Sequence, residues 1–253
     1  MAARLRCHRL FAPKSDHPGQ RAPSAIGVGV VAAERTQRGH AAGALLFVHA
    51  YGDKVQAIDA ATGDLLWQYS RQLPRDEQPS VKRAIAIYGD RLYVPTSDVH
   101  IVALDVKNGQ VVWDQAIGNR KDGFGLTGGP LVARGKVMVG TIGRAAGGNV
   151  IVALDAATGQ EAWRFHVIAR PGEPGGNSWN GLPLNKRNGA SVWIPGSYDA
   201  ELNLAFFGPA QTYDTAPLRN LSSQPGVTND ALYTDSTVAL DPDTGKLVWY
   251  FQH

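Results

Sequence analysis

Asp155-Ala-Ala-Thr-Gly-Gln-Glu-Ala-Trp163 follows a pattern, Asp-x-x-(Thr/Asn)-Gly-x-x-x-Trp, that occurs four times in the 253 residues of this chain. The other copies begin at Asp59, Asp105 and Asp241, so successive Asp residues are 46, 50 and 86 positions apart. Self-similarity at a nearly constant period is typical of repeat architectures. The last interval is nearly two periods, which predicts a longer or degenerate unit in that part of the chain.

Each copy has the chemistry of a tight turn between two strands. An apolar run precedes each Asp, as at residues 150–154, and another apolar segment follows each Gly. Asp and Thr or Asn side chains bond backbone amides within such turns, and Gly accepts the positive φ at their end. We therefore expect four β-hairpins, with each Trp projecting from the second strand and docking against the next unit.

Further strands are predicted upstream of each hairpin. In the second unit, residues 84–88 and 91–95 flank a Gly89-Asp90 turn, and residues 100–104 follow. Four short strands in about 45 residues, with an aromatic residue at one fixed place, are typical of a β-propeller. The sequence therefore predicts an all-β propeller of four-stranded blades, with room for about four to five blades.

Composition and charge exclude several classes of function. The single Cys excludes a disulfide framework and a Cys-based metal centre. The net charge of +3 arises in residues 1–40, which hold seven basic and two acidic side chains, whereas the rest holds 18 basic and 20 acidic ones. Nucleic-acid binding requires basic clusters on the folded part, so no nucleic-acid partner is expected. No apolar run reaches the ~18 residues of a membrane span.

Residues 1–43 differ from the rest of the chain. They are rich in Arg and show neither the helical nor the strand period of apolar residues. A secretory signal has an apolar core close behind its basic start, whereas Pro13-Lys14-Ser15-Asp16 stands there in this chain. We expect a basic leader at 1–43 that is disordered or not native to the fold, followed by a partial propeller at 44–253.

The extended pattern Ala-x-Asp-x-x-Thr-Gly-x-x-x-Trp is complete from Ala57, Ala153 and Ala239. It resembles the tryptophan-docking motif of the PQQ-dependent (quinoprotein) alcohol dehydrogenases, which are eight-bladed propellers. Segments between the repeats are similar to the same family, at residues 83–90, 127–130, 193–199 and 249–252. An eight-bladed ring needs nearly twice the residues present. The resemblance therefore implies about half of a propeller, with unpaired edge strands at both ends.

The resemblance also assigns residues to a PQQ site. It implies that Trp193 carries the ring plane of PQQ, that Arg83 lies near the cofactor, and that Thr127 and Ser191 contribute hydroxyl groups. An indole face suits a flat heterocycle, and a guanidinium can bind two carboxylate oxygens at once. Two structural alternatives remain open from the sequence: Trp193 as a core residue and Arg83 as a solvated surface charge.

Three departures from the family pattern concern the surroundings of PQQ. The family's adjacent Cys pair falls at Glu77-Gln78, so that cap is absent. The calcium-binding Glu aligns with Arg144, and a guanidinium repels a cation. Calcium binding is therefore in doubt. The family's calcium-binding Asn aligns near Gln211, whose side-chain oxygen is the one metal ligand of the family pattern that remains. We hypothesise that Arg144 itself supplies the positive charge that faces the cofactor.

The resemblance implies oxidation of a small alcohol by hydride transfer to PQQ. The family's catalytic Asp follows a segment like residues 249–252, so it would lie beyond His253, and the activity is expected to be incomplete in this chain. Electrons would pass to a separate acceptor such as a cytochrome or quinone, because the chain has no haem-attachment Cys-x-x-Cys-His. The family's habit implies a periplasmic location.

The alternative function is that of a non-catalytic PQQ-like propeller that binds protein partners. The segments around Trp193 and Thr127 favour the enzyme. Arg144 and the missing catalytic base favour the scaffold. Binding and turnover of PQQ with short alcohols would separate the two functions.

Overall fold

The computed structural model describes residues 29–34 and 44–253. In this part of the chain, 18 strands form four four-stranded antiparallel sheets and one two-stranded sheet, which confirms the all-β class. We call the four-stranded sheets blades 1 to 4 in chain order. Three short 3-10 helices lie between strands, at Arg120–Asp122, Leu184–Lys186 and Ala216–Leu218. No helix in the described ranges is long and apolar enough to cross a membrane.

The strands of each blade follow one another along the chain and pair in that order. Blade 1 contains β1 (Gly29–Glu34), β2 (Ala44–Ala50), β3 (Lys54–Asp59) and β4 (Leu65–Ser70). Blade 2 contains β5 (Ala86–Tyr88), β6 (Arg91–Pro95), β7 (His100–Asp105) and β8 (Val111–Ala116). The next strands are β9 (Phe124–Gly125), β10 (Leu131–Ala133), β11 (Lys136–Gly140), β12 (Ile142–Gly143), β13 (Val150–Asp155) and β14 (Glu161–His166). Blade 3 consists of β10, β11, β13 and β14, while β9 pairs with β12. Blade 4 contains β15 (Ser197–Asp199), β16 (Leu204–Phe207), β17 (Ser236–Leu240) and β18 (Leu247–Gln252).

Blade 1 begins within residues 1–43, which were predicted from the sequence to lie outside the propeller. Strand β1 lies inside residues 1–43 and pairs with β2 along its whole length, from Gly29 opposite His49 to Glu34 opposite Ala44. The sequence pattern misses this strand because its apolar run has no period of two. The propeller therefore includes residues 29–34. The other residues of the expected leader, 1–28 and 35–43, lie outside the described residues.

The motif Asp organises each hairpin turn. In the third copy, the Asp155 carboxylate accepts hydrogen bonds from the amides of Ala157 and Thr158 at 3.0 and 2.9 Å. The Gly159 amide donates to the Asp155 carbonyl at 2.8 Å, and Gly159 has a φ of +77°, which favours glycine. The same bonds recur in the other three copies, and all four predicted hairpins are confirmed.

The motif Ala leaves room for two large side chains on one face of each blade. In blade 2, Ala103 is paired with Tyr93 on one side and Trp113 on the other, and these two rings pack 5.7 Å apart between centres. A larger side chain between them would push the rings apart in a close-packed interior. The same arrangement joins Phe47 with Trp67 around Ala57, and Phe206 with Trp249 around Ala239.

The first three motif Trp residues dock on the next blade. Each indole Nε1 donates to the carbonyl of the residue that follows the next motif Asp: Trp67 to Val106 (3.1 Å), Trp113 to Ala156 (3.1 Å) and Trp163 to Pro242 (2.8 Å). The ring also covers the motif Gly of that blade, since a Cβ on Gly159 would lie 2.7 Å from Trp113. Buried apolar clusters complete the contacts between blades 1 and 2, 2 and 3, and 3 and 4. The predicted docking of each unit on the next is confirmed at these three junctions.

The interval of 86 residues is one long unit. Blade 4 has two long connections, residues 167–196 before β15 and residues 208–235 between β16 and β17. These connections pack on each other, because Trp179 is only 1% exposed and donates to the Leu232 carbonyl at 2.7 Å. The described residues therefore form four blades, at the lower end of the four to five predicted.

Candidate functional site

The predicted site residues lie where the chain enters the first strand of a blade. Arg83, Thr127 and Trp193 precede strands β5, β10 and β15 by three or four residues each. Strand β10 lies beside both β5 and β15. The first strands of successive blades surround the central channel of a propeller. Residues at equivalent positions in blades 2, 3 and 4 therefore come together.

Arg83, Thr127 and Trp193 form a connected cluster. The Arg83 amide donates to the Thr127 carbonyl at 2.9 Å, and the Arg83 guanidinium carbon lies 4.7 Å from the centre of the Trp193 ring. A cation at this distance is attracted by the indole quadrupole. Gly129 permits the close approach of the Thr127 segment to the Arg83 segment, since a Cβ there would lie 2.5 Å from the Cβ of Ala84.

Trp193 is not a core residue. It is 44% exposed, whereas Trp179 in the preceding loop is 1% exposed. Arg83 is exposed as well, but its guanidinium lies over the indole instead of extending freely into solvent. The core alternative for Trp193 is therefore excluded. An exposed indole beside a guanidinium is a surface suited to a flat, negatively charged molecule.

Ser191 lies two residues before Trp193, and its hydroxyl group is held from several sides. Its Oγ accepts hydrogen bonds from the Gly143 amide at 3.3 Å and from the Asn149 side chain at 3.4 Å. It also forms a hydrogen bond with the Tyr213 hydroxyl. Ser191 is 4% exposed. The position of this hydroxyl is consequently determined by two segments, residues 143–149 and the connection that contains Tyr213.

Arg144 adjoins the Ser191 group. Its guanidinium carbon lies 4.9 Å from the centre of the Tyr213 ring, and the Arg144 side chain is exposed. The Val192 amide donates to the Thr141 carbonyl at 2.9 Å, which attaches residues 191–193 to the same loop as Arg144. The five residues that the sequence assigns to cofactor binding thus lie on one connected patch.

Gln211 borders this patch through its backbone. Its carbonyl accepts a hydrogen bond from the Ala190 amide at 3.1 Å, and its side chain is exposed. Within residues 29–34 and 44–253, no three His, Cys, Asp or Glu side chains form a group that could hold a metal ion. The single amide oxygen of the Gln211 side chain does not provide the six to eight oxygen ligands that Ca²⁺ requires.

A buried ion pair supports the segment that carries Arg83. The Lys82 ammonium lies 3.3 Å from Asp53 Oδ1 and donates to Ser97 Oγ at 2.9 Å, and Asp53 Oδ2 accepts the Ser97 amide at 2.5 Å. All three residues are buried. Burial lowers the pKa of Lys82, and the charge of Asp53 opposes this effect. Asp53 belongs to blade 1 and Ser97 to blade 2. Both blades therefore hold Lys82, the residue next to Arg83, in place.

His49 lies close to this pair in a buried position. It is 2% exposed, and its Nε2 has no hydrogen-bond partner among the described residues. Burial lowers the pKa of His49 to about 4, although Asp53 raises it. The imidazole is therefore neutral at pH 7.

The residues that support the patch from outside were not predicted from the sequence. Tyr213, Asn149 and the pair of Lys82 and Asp53 belong to loops of different blades, so no sequence spacing connects them. The only sequence signal is the charge of Lys82 beside Arg83, and such a charge is usually solvated.

A family model described as the β-propeller domain of glucose, ethanol and alcohol dehydrogenases, named PQQ, matches residues 29–253. The chain belongs to the PQQ-dependent alcohol dehydrogenase family. Quinohemoprotein alcohol dehydrogenase ADH IIB of Pseudomonas putida is 36% identical over 217 residues, which are 79% of this chain and 31% of that protein. Quinoprotein alcohol dehydrogenase PedH of P. putida is 34% identical over 219 residues, which are 79% of this chain and 36% of that protein. The chain spans about a third of the length of these relatives.

Solved structures of the same family share the fold. Quinohemoprotein alcohol dehydrogenase ADHIIG of P. putida HK5 superposes with a TM-score of 0.70 at 29% identity, over 82% of this chain and 32% of that chain. A europium-containing methanol dehydrogenase superposes with a TM-score of 0.69 at 25% identity, over 88% of this chain and 43% of that chain. The predicted PQQ-type propeller is confirmed, and the chain matches less than half of the length of each of these two structures.

The patch has the groups that PQQ requires. PQQ is a flat quinone that carries carboxylates, and Trp193 is an exposed indole of matching shape. Arg83 and Arg144 are exposed cations for the carboxylates, and Thr127 and Ser191 carry hydroxyl groups. The residues of this family member therefore fit PQQ, whereas they do not fit calcium.

Proposed function

We propose that this chain forms the PQQ-binding part of a quinoprotein that oxidises alcohols. The exposed Trp193 indole, with the Arg83 guanidinium 4.7 Å from its ring centre, carries the proposal. An indole offers a flat platform for a heterocycle, and the guanidinium beside it offers a bidentate partner for a carboxylate. Membership of the dehydrogenase family supports the same function.

The residues of the patch have distinct roles in this proposal. Trp193 is the platform for the ring system, and Arg83 and Arg144 bind the carboxylates and quinone oxygens from two sides. Both lone pairs of Ser191 Oγ accept N–H donors, so the Ser191 hydroxyl donates to the Tyr213 oxygen, and the Tyr213 proton stays free for an oxygen of the bound cofactor. The Tyr213 hydroxyl is thus oriented before the cofactor arrives.

The reaction proposed is the oxidation of a small alcohol, for which bound PQQ supplies the quinone that accepts the hydride. This chain binds and orients the cofactor. None of the five patch residues is a carboxylate that could take the alcohol proton at pH 7. We therefore expect the 253-residue chain to bind PQQ without turning over alcohol.

The electron acceptor and location are also proposals. The names of several relatives call them quinohemoproteins, including one from Comamonas testosteroni. For this chain we propose a separate electron acceptor such as a cytochrome or quinone, as the resemblance to the family implies. The resemblance to the family supports a periplasmic location.

Arg144 takes the place of calcium in this proposal. A fixed guanidinium beside the quinone would stabilise the negative charge that develops as the hydride arrives. Metal analysis of the PQQ-loaded chain tests the idea, and we expect no stoichiometric calcium. Stoichiometric calcium that Arg144→Ala leaves unchanged would refute it.

Equilibrium dialysis with PQQ, detected by its absorbance, tests the proposed function directly. We expect saturable binding of one PQQ per chain. Trp193→Ala and Arg83→Ala should each weaken binding roughly tenfold or more, the usual effect of losing a stacked ring or a charged hydrogen bond. Lys107→Ala is the control, because Lys107 is an exposed cation in the turn between β7 and β8, at the other end of blade 2 from Arg83 in the sheet order.

The outcomes separate the candidate functions. Absence of saturable PQQ binding, or equal binding by Trp193→Ala, would refute the proposal and favour a scaffold. A dye-linked assay with PQQ and ethanol should show no turnover above background. Turnover would support the oxidoreductase but show that a base is present in this chain.

A further inference from the structure

The buried Lys82 and the exposed Arg83 are neighbours in one short segment between blades 1 and 2. Val81 and Arg83 are exposed, whereas Lys82 between them is 4% exposed. This alternation is that of an extended chain, in which successive side chains point to opposite sides. The burial of Lys82 therefore determines the side on which the backbone presents Arg83.

The Lys82 ammonium is held at a defined point by directional bonds. It donates to Ser97 Oγ at 2.9 Å, to Ser80 Oγ at 2.7 Å and to the Ser80 carbonyl at 3.1 Å. Asp53 Oδ1 lies 3.3 Å away, and Asp53 is itself fixed because its Oδ2 accepts the Ser97 amide at 2.5 Å. An ammonium has three donors, so these neighbours leave none of them free.

The ion pair of Lys82 and Asp53 is a poor source of stability for a contact so deeply buried. Its side chains are 2% and 0% exposed. The lost hydration of two buried charges cancels much of their attraction, and an apolar pair of similar volume is often as stable. Hydrogen bonds to charged groups are directional, whereas apolar contacts are not. The pair is therefore better explained by the position that it imposes than by the free energy that it adds.

Arg83 is the group on which this position has its effect. Its amide donates to the Thr127 carbonyl at 2.9 Å, and Lys82 fixes the residue before it. The exposed guanidinium lies 4.7 Å from the centre of the Trp193 ring. An exposed cation–π contact is weaker than the rotamer entropy that a long arginine side chain loses in it. The direction given by the backbone is therefore needed to keep the guanidinium beside the indole.

We propose that Lys82 and Asp53 are positioning residues of the cofactor patch that act through Arg83. With the ammonium bonded between blades 1 and 2, the backbone presents the guanidinium to Trp193 before any cofactor binds. Blade 1 thus contributes to a patch whose own residues precede or belong to blades 2 to 4. The placement of Arg83 does not require PQQ, whereas its effect on PQQ affinity rests on the proposed function.

A nitrogen–proton correlation spectrum of the isotope-labelled chain tests the placement of Arg83 without PQQ. The ring current of an indole shifts the resonance of a proton near its face, so the Arg83 Nε–H resonance should be displaced. Arg83→Lys removes this resonance and identifies it, and Trp193→Ala should abolish the displacement. Asp53→Asn together with Lys82→Met, here called the combined variant, should lose most of the displacement.

The combined variant removes the ion pair without leaving one buried charge alone. Arg134→Met together with Asp243→Asn is the matched control. This second pair also joins two blades, with 3.2 Å between Arg134 Nη2 and Asp243 Oδ2, but its side chains are 53% and 40% exposed. Arg134 lies in the turn between β10 and β11, at the other end of β10 from Thr127. The control should leave the Arg83 resonance unchanged.

Equilibrium dialysis with PQQ measures the consequence for the proposed function. The combined variant should weaken PQQ binding roughly fivefold, a usual size of coupling between neighbouring residues. In a chain that already carries Arg83→Ala, the same two changes should have no further effect, because the residue through which they act is gone. A general loss of fold stability would instead weaken binding equally with and without Arg83.

Three results would overturn the proposal. An Arg83 resonance that the combined variant leaves in place would mean that the ion pair does not position the guanidinium. Unchanged PQQ affinity of the combined variant would mean that the position has no effect on binding. An equal loss of affinity with and without Arg83 would show that the pair supports the fold as a whole. Failure of the parent chain to bind PQQ would refute the proposed function, and the Arg83 resonance would still decide the placement.

Discussion

Replacement of Trp113 by Ala removes the side chain that joins blade 2 to blade 3. The indole packs 5.7 Å from the Tyr93 ring, donates to the Ala156 carbonyl at 3.1 Å and lies against Gly159. Truncation of a large aromatic at a packed position costs about 3–5 kcal/mol. We expect Trp113→Ala to lower the free energy of unfolding by this amount.

Most of this loss comes from packing and not from the hydrogen bond. The Ala156 carbonyl also accepts the Tyr93 hydroxyl at 3.0 Å, so it keeps one partner when Trp113 is removed. The net value of the lost indole bond is then about 1 kcal/mol. Trp113→Phe, which retains an aromatic ring, should therefore cost only about 1–2 kcal/mol.

Urea denaturation followed by far-ultraviolet circular dichroism measures the effect, since tryptophan fluorescence itself changes in these variants. The free energy in water and the urea dependence should be compared with those of the parent chain. Trp193→Ala is the matched control, because this indole is 44% exposed and contacts no motif glycine. A loss below about 1 kcal/mol for Trp113→Ala, or an equal loss for Trp193→Ala, would refute the docking argument.

Two further predictions concern the buried charges beside Arg83. Asp53→Asn leaves the Lys82 ammonium buried without its counter-charge and should cost about 3–5 kcal/mol in urea denaturation, whereas Asp53→Asn combined with Lys82→Met should recover much of it. An unchanged midpoint in the single variant would contradict this. The lowered pKa of His49, about 4, means that the unfolded chain binds an extra proton as pH falls below about 6.5. Stability should drop by about 3 kcal/mol between pH 7 and pH 4, and His49→Gln should remove that slope; an equal slope in the variant would point to other groups.

Most of the blade architecture is predictable from the sequence because its causes are local. An Asp that bonds the amides two and three residues ahead, followed by a Gly at positive φ, specifies a hairpin wherever it occurs. Strand β1 was not predicted because its run Gly-Val-Val-Ala-Ala-Glu carries no alternation, and only its pairing with β2 makes it a strand. The sequence predicted a range of four to five blades and not a single number. The reason is that a long connection and an extra blade contain similar numbers of residues.

The cofactor patch was predictable only in part. Arg83, Thr127 and Trp193 stand in segments that resemble the family, and their shared place before the first strand of a blade brings them together. Tyr213 and Asn149 were not predictable, because they reach Ser191 through loops that are far apart in the chain.

The amino-acid pattern alone was sufficient for the hairpins, the docking tryptophans and the family, since these depend on turn chemistry and on a repeated spacing. Folding in three dimensions was needed to show that Trp193 is exposed while Trp179 is buried. It was also needed to pair Lys82 with Asp53 across two blades. Burial and charge pairing depend on which blades become neighbours, and a single sequence pattern contains no information on contacts between residues so far apart.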